Sequence, residues 1–280
     1  MAPTTAADKE KTDHWSSEAY FKYASFVPKL TKTVLQYLDP KPTDRVLDVG
    51  CGDGKFTANF LPAVAFVLGI DASPSMIESA KTDYGCAKAE FRVVDCRYLN
   101  SEADIVNGSW DKVISNAALH WILRDETTRL QTLQAIHKSL KPNGTFVFEM
   151  GGHGNVPEVH TALLSALIHQ GGKSLEEARK ASPWFFPSEA RMRAMLESVG
   201  FRVEKLEIEY RPTKLTDDEN GGIHGWVRLM GASMLHSLED ERQEAAVKEV
   251  CDLLETIITR EEDGSKWLGY VRLRGIAIKA

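Results

Sequence analysis

The sequence has few of the patterns that mark metal-bound or disulfide-linked proteins. Its four cysteines include no CxxC pair, and its eight histidines do not cluster at a spacing typical of metal ligands. Disulfide frameworks and zinc sites normally need such spacings. We therefore predict reduced thiols and no bound metal.

A strongly basic segment is also missing. No run of consecutive lysines or arginines is present, and the formal net charge of the 280 residues is −6. Because a nucleic-acid partner normally requires a basic surface, this composition argues against one.

Long apolar runs are absent as well. The first 13 residues, MAPTTAADKEKTD, lack the apolar centre of a signal peptide. The longest apolar stretch, LPAVAFVLGI, is too short to cross a bilayer. We predict a soluble, cytoplasmic protein without a membrane partner, in which residues 1–13 are a disordered leader. Nothing in the sequence indicates the oligomeric state.

Short apolar segments alternate with helical patterns along most of the chain, at the spacing of βαβ units. The segments are mostly apolar on both sides, as expected of parallel strands that helices cover on both faces. The pattern predicts an α/β fold with a doubly wound, mostly parallel, seven-stranded Rossmann-like sheet. Strands are predicted at 45–49, 65–70, 90–94, 112–115, 144–149, 201–210 and 266–278, and helices at 55–61, 74–81, 127–140 and 188–199.

Three segments interrupt this alternation. They are an aromatic stretch at 14–38, a glycine-containing and aromatic stretch at 150–187, and a helical stretch at 213–260. We predict that they form a helical cap over the ends of the strands. No repeat or low-complexity linker divides the chain, so residues 14–280 are predicted to form one domain.

The first predicted strand leads into a glycine-rich loop, RVLDVGCGDGKFT, at 45–57. Ligands of doubly wound sheets bind outside the carboxyl ends of the strands. A dinucleotide motif would need glycine at Lys55, and a P-loop would need glycine at Val49, so both phosphate-binding motifs fail. The remaining pattern places Asp48 two residues before Gly50. A carboxylate there suits a ligand with an ammonium group and a sulfonium cation, which S-adenosylmethionine (SAM) carries.

Two further acids end the next two predicted strands. Asp71 lies about twenty residues past the loop, where an acid accepts hydrogen bonds from ribose hydroxyls. Asp95 and the N–H that follows it can contact the adenine edge, although a strand-ending aspartate can also simply cap a helix. In all, the residues predicted to bind SAM are Asp48, Gly50, Cys51, Gly52, Asp71, Ala72, Met76, Asp95, Cys96 and Asn116.

These motifs resemble the class I SAM-dependent methyltransferases over roughly residues 40–210. IDASPSMI at 70–77 and NAALHW at 116–121 resemble the trans-aconitate methyltransferase group. The chain as a whole also resembles fungal O-methyltransferases of secondary metabolism that act on alkaloids. The resemblance implies that Tyr20, in the N-terminal segment, closes over SAM.

In this family the residues after the fourth strand usually face the methyl acceptor. Enzymes that methylate nitrogen in nucleic acid or protein tend to carry Asn/Asp-Pro-Pro-aromatic there, whereas this chain has SNAALHW. A small-molecule acceptor is therefore predicted. His120 is the first candidate for a general base because imidazole titrates near neutral pH, and His153 is the second. Either histidine can instead be structural.

The predicted cap supplies aromatic and methionine side chains that suit a flat, largely apolar acceptor. We predict an O-methyltransferase acting on a hydroxyl or N-hydroxyl of a small polycyclic secondary metabolite, such as an indole alkaloid. The alternatives are a carboxyl methyltransferase acting on a small organic acid and a SAM-binding partner protein without catalysis. Trans-aconitate itself is disfavoured because Ser233 replaces an arginine usual in that group. Predicted acceptor contacts are Trp15, Trp121, Phe185, Trp226 and Met230.

Overall fold

A computed structural model of the protein describes residues 31–217, 219 and 221–280. The predictions for the leader at 1–13, for Trp15 and Tyr20, and for most of the segment 14–38 lie outside the described residues.

The described residues form one seven-stranded sheet with the strand order β3-β2-β1-β4-β5-β7-β6. Every strand runs parallel to its neighbours except β7, which is antiparallel to both β5 and β6. The predicted mostly parallel, seven-stranded fold is confirmed. The strands are β1 Arg45–Val49, β2 Phe66–Asp71, β3 Ala89–Val93, β4 Trp110–Asn116, β5 Leu140–Gly151, β6 Phe201–Lys214 and β7 Trp267–Lys279.

Eleven α-helices connect or cover these strands within the described residues. Two short 3₁₀ helices, Leu61–Ala63 and Cys96–Ser101, add to them. The α-helices are α1 Lys32–Leu38, α2 Lys55–Ala58, α3 Pro74–Tyr84, α4 Leu119–Ile122, α5 Arg129–Ser139, α6 Pro157–Gly171, α7 Leu175–Lys180, α8 Glu189–Ser198, α9 Gly222–Met230, α10 Ala232–Leu235 and α11 Asp240–Ile258.

The helix predicted at 55–61 is shorter than expected. It ends at Ala58, and Pro62 lies in the 3₁₀ helix that follows. A proline disfavours α geometry in the residue before it and removes one backbone donor, which accounts for the early end.

Apolar side chains cover both faces of the sheet. On one face, Val46 and Val147 pack with α1 and with Phe60. On the other face, Leu47 and Phe148 pack with α5 and α8. The described end of the segment 14–38 is α1, and its side chains Val34 and Leu38 belong to the sheet core.

Helices α6, α9, α10 and α11 form a separate core together with the first residues of β7. They lie in the two segments, 150–187 and 213–260, that we predicted as cap elements. The second segment, predicted as a helical stretch, contains three helices, because α9 ends before Gly231 and α10 begins after it.

The chain crosses from β3 back to the other side of β1 to form β4. Strand order therefore reverses between β1 and β4, and their carboxyl ends flank a crevice of the kind that holds ligands in such sheets. The glycine-rich loop begins at this reversal.

Candidate active site

The glycine-rich loop turns tightly after β1 and lies against α4. Gly50 and Gly52 have positive φ angles of 76° and 55°. A Cβ atom on Gly50 would lie only 2.2 Å from Cβ of Ala118, so a side chain there would overlap the start of α4. Gly50 N and Cys51 N both donate to Ile70 O, at 2.8 and 3.0 Å, which ties the loop to the end of β2.

Asp48 lies fully buried in β1, beneath this loop. Its Oδ2 accepts a hydrogen bond from Thr57 Oγ1 at 2.6 Å, whereas its Oδ1 is buried without a hydrogen-bond partner. Burial raises the pKa of Asp48 to about 7, against the Thr57 hydrogen bond and with a smaller contribution from the charge of Asp71. The oriented, unsatisfied oxygen fits an ammonium donor.

Asn116 presents a second acceptor of this kind at the end of β4. Its Oδ1 is buried without a hydrogen-bond partner. Asp48 pairs with Ile114, and Asn116 lies two residues further on, so Asp48 and Asn116 project from the same face of the sheet. Two unsatisfied oxygens thus flank the strand reversal, as the predicted SAM ammonium requires.

Asp71, at the end of β2, is oriented by backbone donors. Its Oδ2 accepts from Gly52 N at 3.0 Å, and its Oδ1 accepts from Ser73 N at 2.9 Å. These two bonds orient the carboxylate at the end of β2, and its predicted contact with ribose hydroxyls stays a prediction. The predicted neighbour Ala72 is exposed beside it.

Asp95 caps the 3₁₀ helix Cys96–Ser101. Its Oδ1 accepts from Arg97 N at 3.1 Å and from Arg97 Nε at 2.9 Å. These hydrogen bonds raise the pKa of the Arg97 guanidinium. The carboxylate therefore has a structural role, and its predicted contact with adenine stays a prediction.

The remaining predicted cofactor residues are apolar or neutral and buried. Met76 lies in the first turn of α3, where its N–H donates to Ser73 Oγ at 3.2 Å. Cys51 and Cys96 are buried, and burial raises the pKa of both thiols. Both cysteines are accordingly protonated at neutral pH and act as packing residues.

His120 lies in α4, two residues after the contact with the glycine-rich loop. It is 7% exposed, and its Nδ1 accepts a hydrogen bond from Gly151 N at 3.3 Å. Burial, assisted by the charge of Arg272, lowers the pKa of His120 to about 3. The ring is thus neutral with its proton on Nε2, which makes it a hydrogen-bond donor. This arrangement supports the predicted role as a general base less well, because that role needs a pKa near the working pH.

Aromatic side chains continue from His120 into the cap. Their ring centroids are separated by 5.4 Å for His120 and Trp121, 5.9 Å for Trp121 and Trp184, and 5.8 Å for Trp184 and Phe186. The Phe186 ring also lies near the His120 ring, with 5.7 Å between their centroids. We call His120, Trp121, Trp184 and Phe186 the aromatic wall. The last three rings are only partly buried.

The other predicted acceptor residues lie deeper or face elsewhere. Trp226 is 2% exposed, and its Nε1 donates to Tyr270 Oη at 2.7 Å. Met230 is buried in the same cap core. Phe185 lies beneath the Arg129 guanidinium, 3.7 Å from the ring centroid, on the opposite side of its segment from Trp184 and Phe186.

His153 is exposed and follows β5. Its N–H donates to Pro187 O at 2.9 Å. The side chain lines an open cleft of about 400 Å³ together with Glu126, Phe185 and Arg191. Its role as second candidate base stays a prediction.

A group of charged side chains beside His120 was missed by sequence reasoning. Glu149 in β5 is buried, and Arg211 Nη2 lies 2.9 Å and Arg274 Nη1 3.3 Å from its carboxylate. Arg272 Nε lies 4.0 Å from the same carboxylate. We call Glu149, Arg211, Arg272 and Arg274 the arginine cluster. The available signal was the alternation of arginines in β7, RLR at 272–274, within an otherwise apolar strand.

Among the described residues, no helix has both the length and the apolar character that a membrane span requires. No three His, Cys, Asp or Glu side chains in the same part of the chain come together as a metal site would require.

The chain is similar in sequence to known methyltransferases. The profile of the family described as "Methyltransferase domain" matches residues 46–144. The uncharacterized methyltransferase C70.08c of Schizosaccharomyces pombe is 36% identical over 267 residues, covering 95% of this chain and 98% of that protein. The trans-aconitate 2-methyltransferase of Azoarcus sp. is 24% identical over 268 residues, covering 95% of this chain and 99% of that protein.

The fold is shared with solved structures as well. The crystal structure of a putative methyltransferase from Bacillus halodurans has a TM-score of 0.60 at 15% identity, covering 90% of this chain and 99% of that chain. Together with the near full-length similarity to the S. pombe protein, this shows that the chain belongs to the class I SAM-dependent methyltransferases.

Proposed function

We propose that the protein transfers the methyl group of SAM to an oxygen atom of a small, flat acceptor that binds against the aromatic wall. One observation carries the proposal. Ala118 lies against Gly50 of the glycine-rich loop. Two and three residues further along the chain, His120 and Trp121 begin the aromatic wall. A single short helix therefore joins the predicted cofactor loop to a surface suited to an aromatic acceptor.

In this proposal the strand ends hold the cofactor. The Asp48 and Asn116 oxygens accept the ammonium N–H groups, Asp71 accepts the ribose hydroxyls, and Asp95 and Cys96 lie at the adenine end with Met76 against the purine. SAM supplies a methyl group on a sulfonium, which is already a good leaving group. Alignment and exclusion of water are then the main tasks of the protein.

His120 has a positioning role in this proposal. Its Nδ1 accepts from Gly151 N, so Nε2–H is the group that can donate to the acceptor oxygen. Such a donor orients the oxygen toward the methyl group and shields it from water. The partly buried rings of Trp121, Trp184 and Phe186 hold the plane of the acceptor by stacking.

The finer assignment is an acceptor with a hydroxyl or N-hydroxyl group on a polycyclic secondary metabolite, such as an indole alkaloid. Resemblance to fungal O-methyltransferases of the glandicoline B type favours this class. The aromatic wall supports it, because three of its rings, Trp121, Trp184 and Phe186, are partly buried and lie within 6 Å of a neighbouring ring centroid.

Labelled SAM and a fungal metabolite extract containing hydroxylated indoles would test the proposal. Mass spectrometry should identify a compound that gains one methyl group and keeps it in mild base, as an ether does. If no compound in any extract gains a methyl group while the protein binds SAM tightly, a non-catalytic SAM-binding protein becomes the better assignment.

Carboxyl methylation of a small organic acid is the second candidate. The arginine cluster favours it, because arginines bind carboxylates with strong, directed hydrogen bonds. A methyl ester product, which mild base hydrolyses, would distinguish this reaction from methylation of a hydroxyl.

A further inference from the structure

Arg272 is the member of the arginine cluster that lies beside His120. It pairs in register with Gly151 across the β5–β7 ladder, and Gly151 N donates to His120 Nδ1. Because Gly151 has no side chain, the space above it is filled by neighbours: a Cβ atom there would lie 2.4 Å from Phe186 Cε1. Arg272, His120 and the aromatic wall therefore meet at the end of β5.

Arg272 brings a full positive charge to this place. Its side chain is 4% exposed, and its guanidinium carbon lies 4.7 Å from the centroid of the Tyr270 ring. Its charge contributes to the lowered pKa of His120, as expected for two groups that are close together. In such a water-poor environment, a cation attracts an anion far more strongly than at the surface.

The other two arginines of the cluster are directed differently. Arg274 contacts Glu207 as well as Glu149, at 3.1 and 3.3 Å, and Glu209 lies against it too. Arg211 contacts Glu149 at 2.9 Å. Three carboxylates thus surround Arg274, whereas Arg272 pairs in register with Gly151, the residue against which Phe186 packs. Arg272 is the charge of the cluster that faces the aromatic wall.

We propose that Arg272 and the Nε2–H of His120 together bind the reacting oxygen of the acceptor as an anion. The acceptor class is then a flat aromatic acid whose carboxyl or N-hydroxyl group is ionised near neutral pH. This inference rests on the proposed function and narrows its substrate class.

The chemistry balances without a general base. A lone pair of the ionised oxygen forms the new carbon–oxygen bond, the bond between the methyl carbon and sulfur breaks, and its electron pair stays on sulfur. The products are the methylated acceptor and S-adenosylhomocysteine, and no proton has to be removed. This agrees with a histidine that already carries its proton on Nε2.

Calorimetric titrations of the full-length protein saturated with S-adenosylhomocysteine test the inference. The first pair of probes is 1-naphthoate and its neutral analogue 1-naphthamide. The second pair is N-hydroxyphthalimide, an anion at neutral pH, and N-methoxyphthalimide. We expect the anion of at least one pair to bind about tenfold or more tightly than its neutral analogue. The pair that responds distinguishes a carboxylate site from an N-hydroxyl site.

Matched variants locate the effect. Arg272→Gln should abolish the preference for the anion, and Arg272→Lys should retain part of it because the charge remains. Arg274→Gln is the control: it removes an equally buried arginine of the same strand and cluster, and the preference should survive. If Arg272→Gln fails to fold, the comparison between Arg272→Lys and the wild type replaces it.

Equal binding of anionic and neutral probes to the wild-type protein would overturn the inference. The inference would also be overturned if Arg274→Gln lost the preference for the anion as fully as Arg272→Gln does. If Arg272→Gln does not fold, Arg274→Gln is compared with Arg272→Lys in the same way. These outcomes are independent of methyl transfer: a protein that prefers the anions but methylates nothing would refute the proposed function and support only an anion-binding site at Arg272 and His120.

Discussion

Asp48 combines full burial with a carboxylate oxygen that accepts no hydrogen bond. Such a group is costly in the absence of a partner, and the protein reduces the cost by raising the pKa, so that the carboxyl is partly protonated at neutral pH. A cationic ligand would reverse this shift. In the proposed binding mode, in which Asp48 accepts the ammonium group of SAM, cofactor binding is therefore coupled to pH.

We expect Asp48→Asn to stabilise the cofactor-free protein at alkaline pH. The pKa of Asp48 is about 7 in the folded protein, above its ordinary value of 3.8, because the side chain is buried. The folded state thus binds this proton more tightly, and the resulting stability is fully present below pH 3.8 and lost as the pH rises through about 7. Urea unfolding should show the variant gaining roughly 1–3 kcal/mol over the wild type between about pH 5 and about pH 8.

Asp111 provides a control, because its pKa is lowered whereas that of Asp48 is raised. Burial alone would raise its pKa, but the Lys141 ammonium at 2.6 Å and the Arg45 N–H lower it. Asp111→Asn should therefore lose stability that is present near neutral pH and disappears as the pH falls through the native pKa. A stability difference between Asp48→Asn and the wild type that does not change with pH would argue against a titrating Asp48.

Variants of His120 can distinguish a role as hydrogen-bond donor from a role as general base. Its pKa is lowered to about 3 by burial and by Arg272, so kcat/KM should show no titration of this residue between about pH 6 and about pH 8. With the acceptor found by mass spectrometry, His120→Gln, which keeps an N–H donor, should retain far more activity than His120→Ala. We expect a loss of roughly 100-fold in the alanine variant. Equal losses in the two variants would contradict a donor role.

The elements of the fold differ in how well their residues specify them. β1 begins and ends where we predicted, because a run of buried apolar residues is followed at once by a glycine turn. α7 was not predicted, although Ser174 and Glu177 form a capping box that marks its start. The antiparallel direction of β7 could not be predicted, because strand direction depends on the connection between elements and not on the residues of the strand.

The loop after β1 offers a test in which two glycines differ in one respect. Both have positive φ angles, but a Cβ on Gly50 would overlap Ala118, whereas a Cβ on Gly52 would meet nothing within 4 Å. Gly50→Ala should destabilise the protein by roughly 2–4 kcal/mol, and Gly52→Ala by about 1 kcal/mol, measured by urea unfolding. Similar losses would show that backbone strain dominates and that the contact with α4 matters little.

Across the whole molecule, the sheet carries the predicted cofactor residues at one end of its strand order and the arginine cluster at the other. The positions of Asp48, Asp71 and Asp95 at or next to the carboxyl ends of β1, β2 and β3 could be predicted because each acid ends a short apolar run; their contacts with SAM stay a prediction. The cluster could not, since Glu149 and Arg274 are 125 residues apart in the chain and meet only when β7 inserts between β5 and β6.

Removing the carboxylate at the centre of this cluster should affect the entire fold. Glu149→Gln leaves three buried or half-buried arginines without their shared anion, and we expect a loss of roughly 3 kcal/mol or more in the free energy of unfolding. Glu204→Gln, which breaks the exposed pair with Arg202 at 2.9 Å on β6, is the control and should cost less than about 1 kcal/mol. Equal effects would mean that the cluster adds little to stability.

The side chains of the segment 184–186 project to two sides, of which one anchors the segment and the other contributes rings to the aromatic wall. On one face, the Phe185 ring packs against the Arg129 guanidinium, and the Phe185 N–H donates to His120 O at 2.9 Å. On the other face, Trp184 and Phe186 form part of the aromatic wall. Two bulky positions can thus be exchanged while the anchor between them keeps the backbone in place. Under the proposed function, relatives with this fold would diverge in the compounds they accept by changing these two side chains, while the residues proposed to hold the methyl donor stay in place.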